Sequence, residues 1–208
     1  MDINIRPAEA GDVEDLSLLV YLAGKSHMSR SIYDLMFPGS KDYQLEVLQS
    51  LLLVRPWFHY SIFLVADVDG KAVASLCGYS ELETGGPKLG AALREIGWSS
   101  REVEELISRL EPFHRVFPPH PRDAWILEHA ATMSAYREHG LMTALFKSFI
   151  DTAYEKGYRS VELGIFTGNL PARRAYEKLG FMVTEEYADA AFEELFSCPG
   201  MTRMVLSL

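Results

Sequence analysis

The sequence has few cysteines and no long apolar run. Its two cysteines, Cys77 and Cys198, lie far apart and in no Cys-x-x-Cys or Cys/His spacing. This scarcity excludes a disulfide framework, offers no cysteine-based metal site and fits a reducing compartment. No run of about 20 apolar residues occurs, and the first residues lack the basic and then apolar pattern of a secretory leader. We therefore expect a cytoplasmic protein that binds no metal and no membrane.

The sequence also lacks an excess of positive charge. It has 20 Lys and Arg against 29 Asp and Glu, a net charge of −9, and the two signs are interspersed. No basic stripe is present to neutralise a phosphate backbone, which excludes nucleic acid as a partner. The acidic surface either concentrates a cationic substrate, such as a polyamine or a lysine side chain, or serves solubility alone. The absence of a complete Walker lysine motif and of a Gly-x-Gly-x-x-Gly turn argues against other nucleotide-binding domains.

The remaining composition is that of a globular chain. With 208 residues and 48% hydrophobic content it can bury one core, so residues 1–208 are expected to form a single domain. Apolar periodicity predicts strands near residues 3–5 and at 60–66, 71–79, 125–132, 159–166, 181–187 and 201–206. It predicts helices at 13–20, 45–52, 138–154 and 169–179. The Asp69-Gly70 turn favours an antiparallel hairpin, and the strand, helix, strand order from 125 to 166 favours a parallel pair.

Residues 81–123 interrupt this regular pattern. Gly85 and Gly86 open the segment, and Ser99 with Glu102 has the spacing of a helix-capping box. We expect a helical insertion between strands 3 and 4. A connection this long is usually functional or mobile, so it either covers part of the substrate cleft or packs as a decoration without a role in binding.

A candidate anion site lies between the strand at 125–132 and the helix that follows it. At a helix start, unpaired amide groups converge where the helix dipole is positive. Gly140 has no side chain to block a phosphate that approaches the backbone. The amides of residues 138–143 are therefore candidates to surround a pyrophosphate and bond to it. Taken alone, this pattern is also typical of an ordinary helix start.

A second motif follows on the next predicted helix. Its five fixed positions are Asn169, Ala172, Tyr176, Gly180 and Phe181. With the loop around Gly140, it resembles the two signature motifs of the Gcn5-related N-acetyltransferase (GNAT) family, (Arg/Gln)-x-x-Gly-x-(Gly/Ala) and Asn-x-x-Ala-x-x-x-Tyr-x-x-x-Gly-Phe. The start of the chain, Ile5-Arg6-Pro7-Ala8 with Asp12, is also similar to the opening strand and turn of that family. The resemblance covers nearly the whole chain apart from 81–123.

The resemblance implies a fold and an activity. The fold is α/β (α+β), with a mixed, mostly antiparallel central sheet of about seven strands flanked by helices, as in acyl-CoA N-acyltransferases. The activity is the acetyl-CoA-dependent transfer of acetyl to a primary amine of a small molecule or peptide by direct attack. C-terminal strands such as Met201 to Leu206 sometimes pair across dimers in this family, and the sequence leaves the oligomeric state, a homodimer included, open.

The resemblance also implies which residues hold acetyl-CoA. The pantetheine arm would bind the backbone of Ala130, Ala131 and Thr132. The pyrophosphate would lie on the loop formed by Arg137, Glu138, His139, Gly140, Leu141, Met142 and Thr143. The pantetheine would also contact Asn169, and the thiol sulfur would contact Tyr176. The family has a small residue where Met142 stands, so the loop either tilts or binds the cofactor less tightly. This departure keeps open a catalytically idle acyl-CoA-binding or interaction module with the same fold.

Acetyl transfer needs an unprotonated amine and a proton for the leaving thiolate. Strand alternation predicts one face formed by Ile126, Glu128, Ala130 and Thr132 and an opposite face formed by Trp125, Leu127, His129 and Ala131. Glu128 is then the sole ionisable residue on its face and resembles the family's catalytic base. The alternative is a buried acid satisfied by an ion pair, for instance with an Arg of the insertion. Tyr176 is either the proton donor to the thiolate or an aromatic that packs its helix onto the sheet. His129 is expected to be structural.

Overall fold

A computed structural model of the protein describes residues 3–55, 57–117 and 120–208. The described residues build one sheet with helices on both of its faces. Five residues that entered the sequence predictions, Met1, Asp2, Pro56, Pro118 and Pro119, belong to the start of the chain, to the stretch after the predicted helix at 45–52 and to the end of the insertion. They lie outside the described residues.

Seven strands form the sheet. They are β1 (Asn4–Pro7), β2 (Phe63–Val68), β3 (Lys71–Tyr79), β4 (Trp125–Thr132), β5 (Ser160–Phe166), β6 (Met182–Ala188) and β7 (Gly200–Ser207). Their order across the sheet is β1-β2-β3-β4-β5-β7-β6, and all neighbours pair antiparallel except β4 and β5, which pair parallel. The predicted mixed, mostly antiparallel sheet is confirmed, as is the hairpin that joins β2 to β3.

Helices cover both faces of the sheet. They are α1 (Val13–Lys25), α2 (Ile32–Met36), α3 (Lys41–Leu52), α4 (Glu81–Thr84), α5 (Leu89–Glu95), α6 (Ser100–Arg109), α7 (Glu111–Val116), α8 (Leu141–Glu155), α9 (Leu170–Lys178) and α10 (Ala190–Phe196). One face is covered by α1 to α3 around Leu16 and Leu48, and the other by α8 and α9 around Phe146. In the chain, the helices α4 to α7 come after β3 and before β4, where the sequence predicts a helical insertion. No helix in the described ranges is long and apolar enough to cross a bilayer.

Two features of the helices differ from the prediction. α8 begins at Leu141 rather than at 138, because Glu138 and Gly140 adopt left-handed backbone conformations with φ of 65° and 74°. A residue with positive φ cannot continue a right-handed helix. The short helices α2 and α10 are missing from the prediction, because 5 and 7 residues are too few to show a clear apolar period.

β4 carries a bulge at His129. Cys77 of β3 pairs with Glu128 and Ser75 pairs with Ala131, so β4 has one residue more than β3 between the same two pairs. His129 accommodates this extra residue with a φ of 55°. Because side chains alternate along a strand, one extra residue reverses the alternation beyond it. The predicted assignment of faces along β4 therefore fails after Glu128.

The bulge places His129 on the same face as Glu128, so the prediction of opposite faces is wrong. The His129 ring contacts Phe58 and Phe63 on the α1 face, with ring centroids 4.4 and 6.1 Å away. Beyond the bulge, Ala130 packs towards α8, on the face opposite to the one predicted. Glu128 is therefore not the sole ionisable residue on its face.

β4 and β5 separate after a short paired region. They pair only over residues 125–127 of β4 and 161–163 of β5, and both strands then continue apart. The amide of Met133 bonds to the carbonyl of Val73 in β3 at 2.9 Å, so strand alternation directs the amide and carbonyl of Thr132 away from β3. A cleft with a free strand edge opens between β4 and β5, where the sequence predicts the pantetheine-binding edge.

β7 lies inside the sheet and not at its border. It pairs with β5 on one side and with β6 on the other. Both of its edges are used within the chain over residues 201–205, which leaves no free edge there for pairing across a dimer. The outermost strands of the sheet are β1 and β6. A homodimer formed in another way stays a prediction.

Candidate active site

A groove of about 760 Å³, the outer groove, runs from the end of β4 past the start of α8 to α9. Its lining includes the following predicted cofactor-binding residues: Ala130, Ala131, Thr132, Arg137, Glu138, Gly140, Leu141, Met142, Thr143, Asn169 and Tyr176. His139 does not line the groove. Its exposed ring lies with Nδ1 2.7 Å from the carbonyl oxygen of Arg137, to which this nitrogen donates.

The start of α8 presents free amide groups to the outer groove. Within the described residues, the amides of 138–143 have no hydrogen-bond acceptor, and the first bond of the helix joins the amide of Ala144 to the carbonyl of Gly140 at 3.1 Å. A side chain added at Gly140 would meet no atom within 4 Å, so the space beside it is open. Converging amides at the positive end of a helix dipole favour an anion. The residues present therefore fit a diphosphate.

Two cationic side chains, Arg137 and Lys178, line the same groove. The chain as a whole carries a net charge of −9, so these cations and the start of α8 create a local positive region on an acidic protein. Glu138 also lines the groove, but its side chain is exposed and its charge is screened by water. The amide of Glu138, rather than its side chain, suits an anionic ligand.

Asn169 is held by the protein at both ends of its side-chain amide. Its oxygen accepts from the amide of Ala172 at 3.2 Å and caps α9, while its nitrogen donates to the hydroxyl of Ser26 at 2.8 Å. Ser26 follows α1 and has φ 51° and ψ −130°, a conformation that non-glycine residues rarely adopt. The predicted contact of Asn169 with pantetheine must therefore share or replace the bond to Ser26. No sequence signal marks Ser26, because a strained backbone conformation is not encoded in a local pattern.

A smaller space of about 120 Å³, the inner cavity, lies between the diverging strands β4 and β5. Tyr176 lines both this cavity and the outer groove. The residue is 8% exposed, and its ring packs against Phe146 with centroids 4.8 Å apart. Burial raises the pKa of Tyr176 to about 12, and its hydroxyl has no hydrogen-bond partner among the described residues. Core packing and proton donation, the two predicted roles, are compatible in this position.

Glu128 lines the inner cavity and is half-buried. Its Oε2 accepts from the hydroxyl of Tyr79 at 3.0 Å. Burial raises the pKa of Glu128. The electrostatic effect of His120 and the hydrogen bond from Tyr79 both lower this pKa, but the effect of burial is larger. The ion pairs of the described residues include none between Glu128 and an Arg or Lys, so the predicted alternative of a carboxylate paired with an Arg of the insertion is not observed.

His129 lies beside Glu128 in the inner cavity. It was not predicted as a site residue from the sequence, because strict strand alternation assigned it to the opposite face. Burial lowers the pKa of His129 to about 4, so its imidazole is neutral at neutral pH. Its Nε2 is buried and has no hydrogen-bond partner among the described residues. A polar nitrogen left unpaired in this way is costly unless a ligand or water bonds to it.

The insertion forms one wall of the inner cavity. α7 contributes Phe113 and Phe117 to the lining. The helix is fixed in place by Arg115, whose Nε lies 2.6 Å from Oδ2 of Asp189 at the start of α10. The helices α5 and α6 instead pack into the core through residues such as Leu106. The last helix of the insertion therefore meets the cleft, while the earlier ones pack beside it.

Comparisons with known proteins agree with this geometry. Among solved structures, an N-acetyltransferase from Staphylococcus aureus Mu50 superimposes with a TM-score of 0.66 at 21% identity, covering 98% of this chain and 100% of that one. A structure described as an acetyltransferase gives a TM-score of 0.68 at 17% identity, with 98% of each chain covered. PaiA N-acetyltransferase from Thermoplasma acidophilum, in complex with coenzyme A, gives 0.55 at 13% identity, with 100% of each chain covered. At these identities the likeness shows a common fold.

The curated protein sequences contain no significant match to the chain. A family model does match: the model of the acetyltransferase (GNAT) family covers residues 30–181. This segment includes both motifs, the diverging strands and the free amides at the start of α8. The protein therefore belongs to the GNAT acetyltransferase family.

Proposed function

We propose that the protein is an acetyl-CoA-dependent N-acetyltransferase that acts on a primary amine of a small molecule or peptide. The observation that carries this proposal is a continuous path. The outer groove, with the free amides of 138–143, leads into an inner cavity that Glu128 and Tyr176 line. The coenzyme A bound in the similar PaiA structure supports an acyl-CoA as the donor. We also propose that residues 1–208 act as a single domain.

Acetyl-CoA would lie along the whole path. Its pyrophosphate would accept hydrogen bonds from the amides of 138–143, with Arg137 and Lys178 adding charge attraction. Its pantetheine arm would run along the open edge of β4 at residues 130–132. The thioester would then reach the inner cavity beside Tyr176. Held in this way, donor and acceptor react as an effectively unimolecular pair.

In the proposed reaction the amine nitrogen attacks the thioester carbonyl carbon. A C–N bond forms, the C–S bond breaks, and coenzyme A leaves as the thiolate. The proton lost by the nitrogen passes to Glu128, directly or through one water, and a carboxylate with a raised pKa suits this role near neutral pH. The sulfur gains a proton from Tyr176, which is reprotonated from solvent.

The raised pKa of Tyr176 has two consequences for this step. A phenol with a pKa of about 12 stays protonated at neutral pH, so it is always ready to donate. A thiol has an ordinary pKa of about 8.5, which makes full proton transfer from the phenol uphill in water. An apolar cavity raises the pKa of the thiol as well and narrows this difference. Tyr176 therefore stabilises the leaving sulfur by donating a hydrogen bond to it before the proton is transferred.

Two measurements test the proposal together. Calorimetry with acetyl-CoA should give a dissociation constant in the micromolar range, and a panel of amines should cause release of free thiol. Binding without release for any amine would favour the idle acyl-CoA-binding module instead. That alternative rests on Met142, which lines the outer groove where the family has a small residue. No binding at all would overturn the proposal and favour a catalytically idle interaction module with the same fold.

A further inference from the structure

The inner cavity has mostly apolar walls. Its aromatic lining comes from Phe113 and Phe117 of the insertion, Phe166 at the end of β5 and Phe146 of α8. Its polar residues are Ser26, Glu128, His129, Asn169 and Tyr176. An acceptor that brings its nitrogen into this cavity would therefore lie beside aromatic side chains.

The described lining of the cavity holds a single acidic side chain. Glu128 is the only acidic residue in its described lining, and His129 is neutral at neutral pH because burial lowers its pKa to about 4. Glu81 influences the pKa of Glu128 but does not line the cavity. Glu162 is neutralised by Arg203, whose Nη2 lies 2.7 Å from its Oε2. The site can therefore compensate one ammonium group but not two.

The inner cavity is the smaller of the two spaces, with about 120 Å³ against about 760 Å³ for the outer groove. Part of this space must hold the acetyl group and the sulfur. The aromatic side chains around the remainder favour an apolar or aromatic stem over a polar ring such as a sugar.

We propose that the acceptor carries a single ammonium group on an apolar or aromatic stem, and that Phe113 and Phe117 exclude amines with a second positive charge close to the first. This inference rests on the proposed function and names the substrate class of the same site. Free alkylamines and arylalkylamines have this chemistry, and so does a lysine side chain. The reaction is the one given above, yielding the amide and free coenzyme A.

The expected discrimination follows from the cost of a second charge. A second ammonium group beside apolar side chains, without a counterion, is strongly disfavoured. The second amino group of the acceptor must then lose its proton in order to bind. At pH 7 an amine with an ordinary pKa of about 10.4 is unprotonated in only about one molecule in 2500, which sets an upper bound of about 2500-fold on the discrimination. We therefore expect kcat/KM for 1,4-diaminobutane to be about 100- to 1000-fold below that for butylamine.

The two amines form a matched pair, because they differ only in the second amino group. The wild-type protein is assayed by thiol release with butylamine, 1,4-diaminobutane and an Nα-blocked lysine amide. Faster reaction with butylamine than with the diamine supports the proposal. Equal or faster reaction with the diamine overturns it. If the blocked lysine reacts as fast as butylamine, the acceptor is a lysine side chain of a protein or peptide. If butylamine alone reacts, the acceptor is a free amine.

Variants of the wall test whether the aromatic residues set this preference. Phe117→Glu places a second carboxylate in the lining and should raise the ratio of kcat/KM for the diamine over butylamine at least about 10-fold, whereas Phe117→Gln should not. Trp98→Ala is the control, because Trp98 belongs to the insertion and packs on Phe37 at 5.8 Å without lining the cavity. Thermal unfolding verifies that each variant is folded, and an unchanged ratio in a folded Phe117→Glu protein overturns the role of this wall.

The failure of this inference is distinguishable from failure of the proposed function. If no amine releases thiol from acetyl-CoA, the acetyltransferase proposal itself is wrong. If amines are acetylated but diamines react best, only the assignment of the acceptor is wrong.

Discussion

Gly140 offers a sharp test of the anion site because the chain contains a matched control. Gly140 precedes α8 and Gly157 follows it, with φ of 74° and 80°, and a Cβ at either position would meet no atom within 4 Å. Only Gly140 lines the outer groove. Replacement by alanine therefore adds the same strain in both cases without a clash, at about 1–2 kcal/mol for a non-glycine residue in the left-handed conformation.

Gly140→Ala and Gly157→Ala should lose similar stability, seen as a fall in Tm of roughly 2–8 °C for a chain of this size. Binding of acetyl-CoA should separate them. A methyl group at 140 occupies the open space through which a diphosphate reaches the amides. Loss of one hydrogen bond to a charged group costs about 1.5–3 kcal/mol, which corresponds to a roughly 10- to 150-fold weaker Kd.

Calorimetry with acetyl-CoA measures Kd for the two variants and the wild type. Thermal unfolding verifies that the two substitutions lower the stability of the protein by the same amount. The expected result is weaker binding in Gly140→Ala alone. Equal Kd values in both variants would refute the placement of the pyrophosphate at the start of α8, whether both are weakened or neither is.

Three further predictions concern the inner cavity and the loop. Glu128→Gln should lower kcat/KM by about 10²- to 10⁴-fold and remove the acidic limb of the pH–rate profile, because the carboxyl must ionise before it accepts a proton; an unaltered profile would count against the base. The same change should raise the free energy of unfolding at neutral pH in denaturant titrations. A carboxyl with a raised pKa in the folded state adds stability at low pH that is lost as the pH rises through that pKa. Tyr176→Phe should lower kcat and leave the Kd for acetyl-CoA almost unchanged, and an unchanged kcat removes Tyr176 from the mechanism. Met142→Ala should tighten acetyl-CoA binding in calorimetry, since it restores a small residue, and an equal or weaker Kd would contradict the expected effect of the methionine.

Much of the fold could be predicted from local pattern. The five positions of the second motif mark α9 and the turn after it, and the Asp69-Gly70 pair marks the hairpin, because these signals lie within a few neighbouring residues. The position of β7 between β5 and β6 was not predictable in this way. The alternation at 201–206 says that a strand exists, but it does not say which strands lie beside it.

The largest error in the site came from the bulge at His129. Strict alternation assigned Glu128 and His129 to opposite faces, and no glycine or proline in β4 signals a departure from it. The bulge depends on how β4 pairs with β3, which is a property of the assembled sheet. Glu128 and Tyr176 could therefore be singled out from the sequence, but the residues that the fold brings beside them, such as His129 and Phe117, could not.

The bond between Ser26 and Asn169 has a consequence for how a coenzyme enters and leaves. It joins the end of α1 to the start of α9 beside the outer groove, so a donor either slides in lengthwise or parts these two residues. A serine in a sparsely populated conformation stores about 1–3 kcal/mol, and parting them lets that backbone relax. The relaxation offsets part of the lost hydrogen bond, so sideways opening costs less than it would with an unstrained residue in this place. If acetyl-CoA binds here as proposed, exchange of the spent coenzyme for a fresh one would depend on whether these two residues part.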